Sequence, residues 1–210
     1  VFLPKTPQNV ISLFGASAAG GVFVPINPVL KSPQVQHILN DCDVKVLVTS
    51  SDRLKALAEV IDDCPALEQI ILTDKLPDSW QGKAKLQLFA ALPDGADPVT
   101  DQDMAAILYT SGSTGKPKGV VLSHRNLICG AHSVSAYLEN NSDDVILALL
   151  PLSFDYGLSQ LTTAFFVGAT AVLMDFLLPN DVVKAVDHYS VTGLAAVPPL
   201  WQQLLKANWS

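Results

Sequence analysis

The sequence predicts an α/β fold of largely parallel sheets flanked by helices. Three observations support this. Short strand-like runs such as VKVLVTS (44–50) and DVILALL (144–150) alternate with amphipathic segments, and a strand–helix–strand rhythm implies parallel pairing through helical crossovers. Glycine, proline and serine punctuate the boundaries between them. Apolar residues make up 49% of the 210 residues, enough for a substantial core.

In chain order, NVISLFGASAAG (9–20) reads as a helix closed by Gly20 and Gly21, and VFVPI (22–26) as a short buried strand. Ser32 and Pro33 suit the N-cap and first turn of a helix over 33–42. A strand is expected over 44–50, a helix over 52–63 and a strand over 67–74. Between 75 and 103 the pattern weakens, and LPDGADP (92–98) reads as a surface connection. Strands AAILYT (105–110) and GVVLS (119–123) follow. Ser123 can cap the next helix, where Leu127, Ala131, Val134 and Leu138 make one apolar face. The rest alternates: strand 144–150, helix 157–167 closed by Gly168, strand 170–174, helix 181–190, strand 192–197 and helix 198–207. The expected organisation is a first lobe over 1–74, a variable connection over 75–103 and a second lobe over 104–210.

The formal net charge of −7 argues against nucleic acid, whose backbone calls for a basic face. Cys42, Cys64 and Cys129 are odd in number and lack a CxxC spacing. A disulfide framework or zinc site is therefore not expected, and a reducing, cytoplasmic setting is. No apolar run is long enough for a membrane span, and no signal peptide is legible. The chain starts at Val1 without a methionine and stops just after a helical pattern, so it reads as a fragment of something longer.

The stretch YTSGSTGKPKG, Tyr109 to Gly119, carries the chemistry. Gly112, Gly115 and Gly119 let backbone N–H groups approach an anion. Thr110, Ser111, Ser113 and Thr114 offer hydroxyl donors, Lys116 and Lys118 offer charge, and Pro117 stiffens the stretch. A plain hairpin turn would use the same small residues, but it needs only about two to five of them and no lysine pair. Phosphate binding is the better reading. The usual phosphate loop is not matched, because Pro117 follows Gly115-Lys116 and Thr110 stands where its first glycine should be. No GxGxxG occurs, so the dinucleotide fingerprint is absent too.

YTSGSTGKPKGVVLSHRNL (109–127) resembles the signature of the AMP-forming adenylating enzymes: acyl-CoA synthetases, peptide-synthetase adenylation domains and beetle luciferases. GASAAGGVFVPINP, LPLSFDYGLSQL and AAVPPLWQQLL resemble further family segments in the same order. The likeness thus covers nearly the whole chain, as the early part of the family's large N-terminal domain. It implies an enzyme in which a carboxylate attacks the α-phosphorus of ATP, pyrophosphate leaves, and a thiol captures the acyl group. The thiol would belong to coenzyme A or to a carrier's pantetheine. Thr110, Ser111, Gly112, Ser113, Thr114, Gly115, Lys116, Lys118 and Gly119 would hold the β- and γ-phosphates, with Mg2+ screening them. The family's later motifs, including the magnesium-binding glutamate and the C-terminal lysine, are absent here. The 210-residue chain alone is therefore expected to adenylate nothing. No catalytic residue is assigned, and neither the acid nor the oligomeric state can be read.

Asp155, in an apolar neighbourhood, can cap the helix near Gly157. By resemblance, Phe154-Asp155 also matches the segment in which amino-acid-activating relatives place an aspartate against the substrate's ammonium. Tyr156-Gly157 departs from that pattern. Arg125 at a helix start needs an offsetting anion or is solvated. His37, His124, His132 and His188 show no metal spacing. Trp201 and Leu204 read as core, and Cys129 as an inert thiol. Three rivals to the acid–thiol ligase remain open: an amino-acid adenylation module, a non-catalytic nucleotide-binding module and a plain structural α/β domain.

Overall fold

The computed structural model describes residues 1–91, 98–110 and 117–209. The chain forms two units, Val1–Val99 with Tyr109–Val120, and Thr100–Leu108 with Val121–Ser210.

The first unit contains α1 (Pro7–Ala18), α2 (Ser32–Asp41), β1 (Val46–Thr49), α3 (Ser51–Ala56), β2 (Gln69–Leu72) and β3 (Lys85–Leu88). Its sheet has the order β1-β2-β3, parallel throughout, with Val46 opposite Gln69 and Gln69 opposite Lys85. Leu13, Val35, Ile38, Leu39, Leu47, Leu57, Ile70 and Leu72 are fully buried between helices and sheet. Each such side chain contributes about 1.5–3 kcal/mol relative to exposure. Thr6 caps α1 by accepting from the Asn9 N–H at 3.4 Å, and Pro7 starts the helix.

Four local expectations change here. Val22–Ile26 is buried in part but forms no strand ladder. It lies extended along Val1, whose amine donates to the Val24 carbonyl at 2.7 Å. Lys31, not Ser32, is the N-cap of α2, and Ser32 Oγ donates instead to the Ala56 carbonyl at 2.6 Å. The helix expected over 52–63 stops at Ala56 and tightens into turns ending in a 3-10 turn, Ile61–Asp63. That tightening lets Leu57, Ile61 and Cys64 all reach the core. Finally, β3 lies within the stretch read as a connection, while 92–97 of LPDGADP fall outside the described residues.

β4 (Met104–Thr110) and β5 (Lys118–Ser123) pair with each other. The second unit continues with α4 (His124–Leu138), β6 (Val145–Ala148), α5 (Asp155–Phe166), β7 (Thr170–Leu173), α6 (Pro179–His188), β8 (Gly193–Leu194) and α7 (Pro198–Leu204). Its parallel sheet has the order β7-β6-β8. Leu147, Leu149, Leu150, Val182, Leu200 and Leu204 form its main cluster. Buried Gln160 donates to the carbonyls of Leu147 (3.3 Å) and Ala195 (3.4 Å) and accepts from the Leu150 N–H (3.4 Å). Those bonds meet the cost of placing an amide in the core. On α4, Ala131 and Ser135 are buried but Leu138 is 54% exposed, so the expected apolar face is shorter than its spacing suggested. Trp201 of α7 is also exposed, whereas Leu204 is core as expected.

Candidate functional site

β4 enters from the core, with Ala105, Ala106 and Leu108 buried, and ends in exposed Thr110. β5 leaves from exposed Lys118 and Gly119. Thr110 Oγ1 donates to the Lys118 carbonyl at 3.5 Å, across the two strand ends. Thr110 and Lys118 thus stand at facing ends of a strand pair. Ser111, Gly112, Ser113, Thr114, Gly115 and Lys116 lie outside the described residues. Lys118 pairs with no carboxylate among the described residues.

The start of α4 is already satisfied. Ser123 caps it: the Asn126 N–H donates to Ser123 Oγ at 3.2 Å, and the Ser123 N–H donates back to Asn126 Oδ1 at 2.9 Å. The N–H groups of His124 and Arg125 donate to the carbonyls of Asp103 (3.1 Å) and Asp101 (2.7 Å). The first-turn amides that bind anions in helix-terminus sites are therefore occupied. The offsetting anion for Arg125 is Asp101, with Nη2 and Nε at 2.6 and 2.7 Å from Oδ2. The Thr100 N–H and hydroxyl hold the Asp103 carboxyl below the usual aspartate range.

Phe154 and Asp155 stand at the start of α5. Phe154, not Asp155, is the N-cap, and Asp155 is the first helical residue. No side-chain bond caps the helix, so Asp155 acts there only through the dipole. Both residues are exposed, and Asp155 joins Asn126, Gly130, Ser159 and Thr162 around a cleft of about 70 Å3 between α4 and α5. The cleft is where this aspartate meets other polar groups. Sequence reasoning missed Asn126, Ser159 and Thr162, because they come from two helices and carry no motif of their own.

The cysteines are free. Cys64 is buried, Cys42 half-buried, and Cys129 lies on the exposed side of α4. Burial raises the thiol pKa of Cys42 and Cys64. No cluster of three His, Cys, Asp or Glu side chains forms a metal cage among the described residues. Among the described residues, no helix is long and apolar enough to cross a membrane.

Comparison with known proteins adds to this geometry. The model of the family described as AMP-binding enzyme matches residues 1–209. A feruloyl-CoA synthase from Amycolatopsis is 31% identical over 96% of this chain, which spans 38% of that protein. A linear gramicidin synthase from Brevibacillus parabrevis is 27% identical over 99% of the chain, which spans 2% of it. The structure of a long-chain-fatty-acid-CoA ligase from Archaeoglobus fulgidus superposes with a TM-score of 0.83 at 25% identity, covering 97% of this chain and 40% of that one. The chain thus spans well under half the length of these relatives.

Proposed function

The chain belongs to the AMP-binding enzyme family, and from that premise we propose that it supplies the triphosphate-holding part of an ATP-dependent acid–thiol ligase. The carboxylate of an acid attacks the α-phosphorus, and the bond to the β-phosphate's bridging oxygen breaks. Pyrophosphate leaves and an acyl-adenylate remains. A thiol sulfur then attacks the acyl carbon, AMP departs, and a thioester forms. In the first step negative charge gathers on the leaving pyrophosphate. The hydroxyls and amides of 110–115 and the ammonium groups of Lys116 and Lys118 stabilise it where it develops.

The observation that carries this reading is a strand pair at the two ends of the glycine-rich stretch, with β4 buried at Ala105, Ala106 and Leu108 and β5 largely exposed. It presents Thr110 on one side and, on the other, Lys118 with no carboxylate partner among the described residues. Donors held by a rigid scaffold need little reorganisation when charge arrives. Coenzyme A as acceptor is supported by the likeness to a feruloyl-CoA synthase. Three free thiols suit a reducing, cytoplasmic setting. The test is ATP–pyrophosphate exchange by the full-length protein across a panel of acids. Exchange with aryl or fatty acids but not amino acids is expected, and no exchange with any acid would leave a non-catalytic nucleotide-binding module. The 210-residue chain alone is expected to show none.

A second reading, an amino-acid adenylation module with a carrier's pantetheine as acceptor, is favoured by Asp155 on the α4–α5 cleft and by the likeness to a gramicidin synthase. There the carboxylate would pair with the substrate's ammonium. If only amino acids support exchange and Asp155→Ala abolishes it, this reading replaces the first.

A further inference from the structure

We propose that Tyr109 is a positioning residue for the ATP phosphates, latched by its hydroxyl to the end of α2 so that this helix fixes where Thr110 stands. The inference rests on the reading that the stretch after Tyr109 holds the triphosphate.

Tyr109 immediately precedes Thr110 on β4, and successive strand side chains point to opposite faces. Thr110 is exposed, while Tyr109 is half-buried. Its hydroxyl donates to Asp41 Oδ2 and lies 3.3 Å from Cys42 Sγ. The His37 ring meets the Tyr109 ring edge-on, 6.4 Å between centroids at 81°. One end of α2 therefore presents three groups to a single phenol.

That end breaks a rule of helix design. α2 closes in Asn40-Asp41-Cys42-Asp43 with no basic residue in its last turn. Carboxylates at the negative end of the dipole are unfavourable. Asp43 adds a left-handed backbone, φ 44°. A local violation without compensation inside the element points to a role outside it, and the Tyr109 O–H is what Asp41 receives. A hydrogen bond to a carboxylate is also stronger than a neutral one.

The helix itself is firmly seated, with Val35, Ile38 and Leu39 each 0–1% exposed. Its end is a fixed point, so a bond to it fixes the strand end. Burial and the Asp41 carboxylate push the phenol above its ordinary range, which further favours the protonated, donating form. A misplacement of about 1 Å in a positioning group can cost on the order of a hundredfold in rate. The latch acts on this part of the molecule only: it touches neither the acid nor the thiol.

The test uses the full-length enzyme and four variants: Tyr109→Phe, Asp41→Asn, their double, and Lys116→Ala with Lys118→Ala. KM for ATP, KM for the acid and kcat are measured by pyrophosphate exchange, with the melting midpoint alongside. Each single variant is expected to raise KM for ATP about tenfold, the loss of one charge-assisted hydrogen bond, with KM for the acid unchanged. The double is expected to be no worse than either single. Wild-type KM for ATP in both singles would overturn the latch, whether or not the midpoint falls, and so would additive effects in the double. If the lysine variant also keeps a wild-type KM for ATP, the phosphate reading itself fails. If only the latch variants do, the latch alone fails. Asp41→Glu is expected to restore part of the ATP affinity lost in Asp41→Asn. No recovery would show that the carboxylate was not the acceptor.

Discussion

Gly157→Ala should destabilise the second unit, although the substitution removes a glycine from a helix. Alanine in a helix interior is worth about 1 kcal/mol over glycine. At Gly157 a Cβ would stand 2.0 Å from the Pro151 carbonyl oxygen, 2.7 Å from its carbon and 3.0 Å from the Leu150 carbon. Ordinary contact begins near 3.4 Å, so α5 and Pro151 must part by about 1.4 Å. All three atoms are backbone and cannot swing away. Overpacking of this kind costs about 1–3 kcal/mol. The same movement stretches the 3.0 Å bond from the Phe154 N–H to the Pro151 carbonyl, worth about 1 kcal/mol more. The net loss is about 1–3 kcal/mol, or roughly 2–12 °C in melting midpoint for a chain of this size. Gly130→Ala on α4 is the control, because nothing lies within 4 Å of its Cβ position. It should raise the midpoint by roughly 1–4 °C. Thermal unfolding followed by circular dichroism reads both. Equal, positive shifts for the two variants would refute the close approach of α5 to Pro151.

Leu147→Ala should cost about 2–5 kcal/mol, since the side chain is 0% exposed at the centre of β6 and its loss leaves a cavity; urea titration reads the change. Asp144→Asn should make stability less dependent on acid. Thr192 Oγ1, the Asn141 N–H and Asn140 Nδ2 hold the Asp144 carboxyl below 3.8, its ordinary value. A depressed carboxyl stabilises the fold above its unfolded pKa and loses that effect as pH falls through the folded one. The gap between wild type and variant should therefore be constant near neutrality and close only below about pH 4. A gap that persists at lower pH would assign the effect to shape rather than charge. Gln160→Leu should destabilise despite its greater hydrophobicity, because the carbonyls of Leu147 and Ala195 and the Leu150 N–H lose their partner. A rise in midpoint would count against that network.

The sequence made visible what local chemistry decides. Ser123 and Asn126 are three residues apart, and the cap they form follows from that spacing. β6 is a short apolar run that can only be buried, and it is the central strand of its sheet. β3 was hidden because KLQL is half polar and sits among prolines and aspartates. Its place comes from partners: Gln87 pairs with Gln69 across the sheet, and Trp80 Nε1 donates to the Ala84 carbonyl at 2.8 Å. Val22–Ile26 looked like a strand because burial and strand pairing leave the same apolar trace. Before β5, the glycines, hydroxyls and lysines suggest phosphate by their types and spacing, and 111–116 lie outside the described residues. The Tyr109 latch could not be read, because Asp41 is 68 positions away and looks like any acidic residue after a helix. The polar cleft beside Asp155 was hidden for the same reason.

Pyrophosphate exchange by the full-length protein, wild type against Lys116→Ala with Lys118→Ala, tests the phosphate grip most directly. Two charge-assisted contacts removed together should lower kcat/KM for ATP on the order of a hundredfold or more, with the melting midpoint unchanged. Exchange at the wild-type rate by a folded double variant would contradict it.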